Sequence, residues 1–402
     1  MKFELAMAFP ARSRRPTCWA RGQAHPIRQF VTPSACHPLR TGWRALALCL
    51  LTLPIMGQTN ETDAARWLAA SELAPAFTAP ASRAQWEIRR QQVRTELRDL
   101  LGKLPPRPEK PKIQTLAREE RDGCLVEKFQ FDNGAGAVVP GYLLLPKERS
   151  GKLPGILFCH WHGGDYDIGK EELFQTRHSP EAPGPALVRR GYAVLGVDAY
   201  CFGERNGHGP GGPEERGAAG EMSASKFNLW VGRTLWGMIL RDDQMALDYL
   251  ASRPEVEASR LGVTGISMGA TRSWWLMALD ERLKAGVAVA CLTRYQNLLR
   301  QHQLKAHGIY YFVPGLLNHF DTEAVVSLIA PRPVLFQTGD QDAGSPIDGV
   351  RDIEAAVRPV YRLYGNERNF QSIIYPGLGH VYTAEMWART VQFLDQHVKG
   401  EK

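Results

Sequence analysis

Short apolar runs rich in β-branched residues recur from residue 155 onward, and polar residues do not alternate with them. A run without alternation is typical of a strand that is buried on both faces of a sheet. Helical spacing of apolar residues separates several of these runs, notably over residues 240–251, and a last helical pattern closes the chain over residues 383–398. The six predicted strands are residues 155–159, 193–197, 261–264, 285–290, 333–336 and 370–375. Repeated strand and helix units predict an α/β fold with a mostly parallel central sheet and helices on both faces.

Two extended runs precede these units, residues 124–131 and 138–145. The dipeptide Asn133-Gly134 lies between them and suits the positive φ angles of a tight reversal. The pattern therefore predicts an antiparallel hairpin on the N-terminal side of the parallel strands.

An amphipathic helix is predicted over residues 82–101, where apolar side chains recur at helical spacing and arginines occupy the other faces. Ser82 is a suitable N-cap, Gly102 a suitable end, and Pro105-Pro106 prevent continuation. We interpret residues 59–122 as an N-terminal helical segment with a linker, and residues 123–402 as the catalytic domain.

Two long stretches interrupt the strand and helix pattern. Residues 200–225 are rich in glycine and charged side chains, and residues 293–321 are rich in aromatic side chains. Long excursions between the strands of a compact sheet more often serve function than not.

The first 58 residues have the character of a leader. The apolar run over residues 45–58 is short for a bilayer span, contains Pro54 and follows an arginine-rich stretch, which is typical of a secretory signal peptide. We expect cleavage near Gly57, a translation start downstream of Met1, and a secreted or periplasmic protein with no membrane span after cleavage. An uncleaved N-terminal anchor is the alternative.

The net charge of +7 does not indicate a nucleic-acid partner. Residues 1–44 hold eight basic residues and one acid, which account for the whole excess. The chain beyond the leader is formally neutral, so no basic binding face is expected. The sequence also contains no Cys-x-x-Cys pair and no His-Glu-x-x-His motif, so we expect neither a metal nor another cofactor.

Gly265-Ile266-Ser267-Met268-Gly269 follows a predicted strand and opens a helical run, residues 270–279. A serine on such a turn adopts a strained backbone conformation that flanking glycines permit, and its hydroxyl then stands clear of the sheet. The turn also directs the Met268 amide toward the position where an oxyanion would form. Ser267 is therefore the candidate nucleophile.

A serine nucleophile needs a histidine base and an acid that orients the base. His380 ends the flexible loop Pro376-Gly377-Leu378-Gly379-His380 after the last strand and is the candidate base. Two acids, Asp340 and Asp342, follow the strand before it. We favour Asp342, because Asp340 directly after Gly339 is suited to capping the turn. The order Ser, Asp, His is that of an α/β hydrolase.

A second oxyanion donor is expected from the loop His160-Trp161-His162-Gly163-Gly164-Asp165, where glycines let backbone amides approach a substrate. Trp161 and His162 are both candidates for the donating amide. The imidazole of His160 is expected to be structural.

From about residue 125 onward the chain resembles the dienelactone hydrolase, acetyl xylan esterase and prolyl-oligopeptidase-like clade of α/β hydrolases. The segments that carry the resemblance are residues 241–250, 252–256, 260–269, 330–334 and 339–342. The resemblance implies the α/β-hydrolase fold, a Ser267–His380–Asp342 triad and hydrolysis of an ester or amide. Trp161 departs from the clade, which more often has glycine at that position.

These observations predict a serine esterase, with a small-molecule or carbohydrate ester of a short acyl group as its substrate. Four side chains of the two excursions are candidate substrate contacts: Glu204, Arg205, Tyr310 and Tyr311. A serine peptidase of the prolyl-oligopeptidase type is the first rival, although the residues before Leu125 are too few for its usual propeller. A non-catalytic binding protein is the second rival, although such proteins commonly lose a triad residue.

Overall fold

The computed structural model describes residues 62–400 of the chain. These residues contain a nine-stranded sheet. The predicted leader lies outside these residues. The strands are β1 (Ile113–Arg121), β2 (Cys124–Asp132), β3 (Val138–Pro146), β4 (Leu153–Cys159), β5 (Ala193–Val197), β6 (Val256–Ile266), β7 (Leu283–Val289), β8 (Val334–Gly339) and β9 (Phe370–Tyr375).

The strands lie in the order β1-β2-β3-β5-β4-β6-β7-β8-β9. β1, β2, β3 and β5 pair antiparallel in turn, whereas every pair from β5 and β4 to β8 and β9 is parallel. The predicted α/β fold with a mostly parallel sheet and an N-terminal hairpin is confirmed. The carboxyl ends of β4, β6, β8 and β9 consequently meet at one edge of the sheet, which is where ligands bind in folds of this kind.

Strand β1 is absent from the sequence interpretation, which assigned its residues to a linker. Its nine residues, IQTLAREER, are mostly exposed and show no apolar alternation. It pairs along its whole length with β2 as the charged edge of the sheet, a composition that discourages pairing with other chains. The sheet therefore begins before residue 123.

Helices cover both faces of the sheet. They are α1 (Asp63–Ala69), α2 (Arg83–Leu101), α3 (Pro183–Arg189), α4 (Gly217–Trp230), α5 (Leu235–Ser252), α6 (Met268–Leu279), α7 (Tyr295–Arg300), α8 (Leu316–His319), α9 (Thr322–Ser327), α10 (Ile347–Arg362) and α11 (Ala384–Leu394). The predicted caps of α2 are confirmed, because Ser82 Oγ accepts the Gln85 amide hydrogen and Gly102 terminates the helix at φ 89°. Trp86, Val93 and Leu97 on its apolar face are fully buried in the core.

The two excursions fold into short helices rather than independent domains. Residues 200–225 form a 3₁₀ turn (Gly203–Arg205) and the start of α4, and residues 293–321 contain α7, two 3₁₀ turns and α8. None of the helices within residues 62–400 combines the length and apolarity that a bilayer crossing requires.

Candidate active site

Ser267 lies on the turn between β6 and α6 with φ 59° and ψ −121°. A positive φ is strained for a residue with a Cβ, and such strain concentrates at functional sites. The Ser267 amide donates to the Val289 carbonyl of β7 at 2.9 Å, which anchors the turn to the neighbouring strand.

The glycines on either side of Ser267 are required by close backbone approach. A Cβ at Gly269 would lie 2.0 Å from the Cys159 carbonyl oxygen, and one at Gly265 would lie 2.3 Å from the same atom. The end of β4 therefore packs directly against the turn. This contact explains sterically why the pentapeptide needs both glycines.

His380 and Asp342 meet across the ends of β9 and β8. His380 Nδ1 lies 2.9 Å from Asp342 Oδ2, and the other carboxylate oxygen of Asp342 accepts the Gly344 amide hydrogen at 2.9 Å. Asp340 instead accepts the Gly377 amide hydrogen at 2.8 Å, so its hydrogen bond reaches the loop after β9 and does not cap its own turn. Of the two candidate acids, the structure brings Asp342 to the imidazole.

Ser267, His380 and Asp342 line one cavity of about 560 Å³ at the carboxyl edge of the sheet. Its walls come from the loop after β4, from the loop after β8 and from the aromatic excursion. The lining includes Trp161, His162, Gly163, Gly164, Cys291, Lys305, Ala306, His307, Gly308, Tyr310, Gln341, Ala343 and Gly344. Burial raises the pKa of the Cys291 thiol to about 12, so this sulfur stays protonated and is a poor nucleophile.

The two candidate amides after β4 have different environments. The Trp161 amide donates to Glu172 Oε2 at 2.5 Å, so it is not available to a substrate and Trp161 drops out of the candidate oxyanion donors. The His162 amide has no acceptor within residues 62–400. The Met268 amide also has none there, as expected for the first residue of a helix. His162 and Met268 remain as candidates.

Trp161 contributes its side chain to the site instead. Its indole stacks on the His178 ring with centroids 4.3 Å apart, and its ring meets the His380 imidazole edge-on at 5.2 Å. The residue that departs from the related clade thus forms a wall of the cavity beside the candidate base.

His160 is a structural residue, as expected. Its Nδ1 lies 2.8 Å from the Trp161 carbonyl oxygen, and its Nε2 accepts the Ala199 amide hydrogen at 3.0 Å. The two contacts together require a neutral ring with the proton on Nδ1. Burial also lowers the pKa of His160 well below its usual value, so the ring stays neutral.

The structure places three of the four predicted substrate contacts away from the Ser267 cavity. Glu204 and Arg205 line a separate cavity, and they are held there by Lys170 and Asp242, respectively. Tyr311 is buried against the His307 ring and does not line the Ser267 cavity. Tyr310 does line it and stacks on His162 with centroids 5.0 Å apart.

Three polar residues near the site were not identified from the sequence. His307 lines the cavity, and its Nε2 lies 2.9 Å from the Gly344 carbonyl oxygen. Glu221 of α4 lies 2.8 Å from His162 Nε2, and Glu172 holds the Trp161 amide. No motif connects them to the serine, since they come from elements far apart in the chain. Within residues 62–400, no three His, Cys, Asp or Glu side chains converge as metal ligands would.

A family model described as an abhydrolase family matches residues 68–383. A Bacillus subtilis (strain 168) protein named as a hydrolase, YtaP, is 36% identical over 306 residues, which cover 75% of this chain and 98% of YtaP. Among solved structures, an acetyl xylan esterase homologue from Bacteroides fragilis aligns with a TM-score of 0.66 and 20% identity over 82% of this chain and 93% of its own. A glucuronoyl esterase from Solibacter usitatus aligns with a TM-score of 0.61 and 17% identity over 81% of this chain and 98% of its own.

Proposed function

The chain belongs to the Abhydrolase family, and from this membership we propose that it is a serine esterase with Ser267 as nucleophile, His380 as base and Asp342 as the acid that orients the base. The observation that carries the proposal is the meeting of a strained serine and a His–Asp pair in one cavity. Three elements separated in the chain supply these groups at one edge of the sheet.

The hydrogen bond to Asp342 determines how His380 acts. If Nδ1 carries the proton and donates it to Asp342 Oδ2, then Nε2 is the acceptor. Nε2 takes the Ser267 proton as Oγ attacks the ester carbonyl carbon, and later returns it to the departing alcohol oxygen. An acyl group is left on Ser267, and water activated by the same nitrogen removes it as a carboxylic acid.

The negative oxygen of the tetrahedral intermediate needs donors that are already in place. The Met268 amide and the positive end of α6 supply one side of the proposed oxyanion hole, and the His162 amide supplies the other. The His162 ring is held by Glu221 and by Gly164, whose amide donates to Nδ1 at 3.1 Å. The side chain of His162, the proposed donor, is therefore held in place by these two contacts.

We further propose that the substrate is a short-chain acyl ester of a carbohydrate. The lining of the cavity includes polar side chains that suit hydroxyl groups, namely those of Gln341, His307 and Lys305. A long acyl chain would need a continuous apolar surface. The names of the structural relatives, which include acetyl xylan and glucuronoyl esterases, are consistent with this class.

Export is the remaining part of the proposal. We expect residues 1–58 to act as a secretory leader, which places the enzyme where carbohydrates from outside the cell are processed. N-terminal sequencing of the protein recovered from the periplasm or the medium would give the mature start. Full-length protein found only in the cytoplasm would contradict export without affecting the esterase assignment.

A substrate panel tests the activity. It consists of p-nitrophenyl esters from acetate to palmitate, acetylated xylo-oligosaccharides, methyl glucuronate esters and peptides. We expect fast hydrolysis of p-nitrophenyl acetate, decline with chain length and release of acetate from the sugar. Rates that climb toward palmitate with no sugar deacetylation would contradict the carbohydrate substrate, and cleavage of peptides alone would contradict the esterase.

A further inference from the structure

Glu172 is a buried carboxyl group behind the loop that follows β4. It lies in the 3₁₀ turn Gly169–Phe174, and only 1% of the residue is exposed. Its Oε2 accepts the Trp161 amide hydrogen at 2.5 Å, and its Oε1 is buried without a hydrogen-bond partner within residues 62–400. Burying a carboxyl group with one partner costs free energy. Its hydrogen bond to the loop backbone indicates that this carboxyl group serves to hold the loop.

Both backbone groups of Trp161 are held, one on each side. The Trp161 carbonyl is bonded to the His160 ring, which is in turn fixed by the Ala199 amide. The Trp161 amide is bonded to Glu172. Because His162 comes next in the chain, the orientation of the Trp161 backbone determines where the His162 amide is directed. If the Trp161 amide were released, the peptide units of this glycine-rich loop could rotate.

We propose that Glu172 is a positioning residue for the oxyanion hole, which holds the Trp161 amide so that the His162 amide faces the ester oxygen. This inference rests on the proposed function and names a further residue of the same site. Glu172 does not line the cavity, so it acts through the loop and touches no reacting atom.

The charge state of Glu172 is compatible with this role. Burial raises the pKa of Glu172 to about 8, against the opposing effects of the Trp161 amide and the Arg272 guanidinium. A protonated carboxyl still accepts a hydrogen bond through its carbonyl oxygen. A neutral group there also avoids placing a negative charge behind a developing oxyanion, which would oppose its stabilisation.

Two substitutions of Glu172 distinguish the effect of its hydrogen-bond acceptor from the effect of its charge. Glu172→Gln keeps a carbonyl oxygen of similar reach, whereas Glu172→Met keeps the volume and removes the acceptor. We expect Glu172→Gln to hydrolyse p-nitrophenyl acetate within about threefold of the wild-type kcat. Glu172→Met should lose kcat on the order of 10- to 100-fold, with KM changed less than about twofold. The expected loss is smaller than the roughly 10²- to 10³-fold cost of deleting an oxyanion donor outright.

Glu127→Met is the matched control. Glu127 is likewise a buried glutamate, 5% exposed, but it lies on β2, bonds Tyr249 and does not line the Ser267 cavity. The Glu127→Met variant should lose thermal stability and keep the wild-type kcat. If Glu172→Met does not fold, Glu172→Asp shortens the acceptor by one methylene and should show the same selective loss of kcat.

Two results would overturn the positioning role. One is a folded Glu172→Met, or Glu172→Asp in its place, with wild-type kcat. The other is a loss of kcat in Glu172→Gln as large as that in Glu172→Met. An inactive wild-type enzyme would instead refute the proposed function, so the two failures are distinguishable.

Discussion

His380 Nδ1 lies 2.9 Å from Asp342 Oδ2, although 38 residues separate the two side chains in the chain. Their loops follow β9 and β8, which pair in parallel from Val334 and Phe370 to Gly339 and Tyr375. Parallel neighbours end at the same edge, so the register of these two strands delivers the imidazole to the carboxylate. Asp342 is 4% exposed. Its buried carboxylate contacts the His380 imidazole through one oxygen and the Gly344 amide through the other.

Replacing the proposed nucleophile should abolish turnover without unfolding the protein. Ser267→Ala removes only a hydroxyl group from a partly exposed turn, so we expect a loss of several orders of magnitude in kcat with an unchanged melting temperature. Steady-state hydrolysis of p-nitrophenyl acetate and a thermal melt provide the measurement. A fluorophosphonate probe should label the wild type and not the variant, and more than a few per cent residual activity would exclude Ser267 as nucleophile.

Substitution of Asp342 should mainly lower kcat, whereas substitution of Asp340 should mainly lower stability. Asp342→Asn should lower kcat by about 10³- to 10⁴-fold, because the amide no longer holds the His380 tautomer that leaves Nε2 as base. Asp340→Asn alters the hydrogen bond to the Gly377 amide, so it should lower stability by about 1 kcal/mol and preserve kcat. Parallel kinetics and urea denaturation measure both quantities. A larger kinetic loss at Asp340 would reverse the assignment.

Arg205 should contribute to the stability of the fold and not to substrate binding. Its guanidinium lies 3.0 Å from Asp242, and both side chains are at least 95% buried. Arg205→Met leaves Asp242 with Asn133 and the more distant Arg241, so the free energy of unfolding should fall by about 3 kcal/mol.

The folded fraction of Arg205→Met should keep the wild-type KM for acetylated xylo-oligosaccharides. The exposed neighbour Glu204, replaced by Gln, provides the milder control at the same cavity. A raised KM with intact stability would instead restore Arg205 as a substrate contact.

Glu172 should make stability depend on pH in a defined direction. Its folded-state pKa of about 8 exceeds an unfolded value near ~4.3, so between these values the folded state holds a proton that the unfolded state has lost. The stabilisation from this proton is complete below pH ~4.3 and is lost as the pH rises toward 8. The melting temperature of Glu172→Gln relative to wild type should therefore rise from pH 5 to pH 8. A difference that is constant across this range would show that Glu172 is ionised in the folded protein.

The sequence alone predicted the parallel strands and the hairpin of the sheet, and it singled out the three residues of the proposed triad. Runs such as those within β4 and β7 have no polar face, so they must be buried on both sides, and local pattern is enough to predict them. The pentapeptide around Ser267 and the loops holding Asp342 and His380 each follow a strand directly. Their meeting at one edge follows from the parallel arrangement.

Only the tertiary structure decided which residues contact one another and which cavity they line. Strand β1 has no apolar pattern, and its pairing with β2 is what makes it a strand. Glu204 and Arg205 have the residue types of substrate contacts, yet they are held by Lys170 and Asp242 beside another cavity. The Trp161 amide is bonded to Glu172, which lies in the next 3₁₀ turn of the chain. Burial and hydrogen-bond partners set by packing, which no local pattern encodes, separate a structural polar residue from one that faces the cavity.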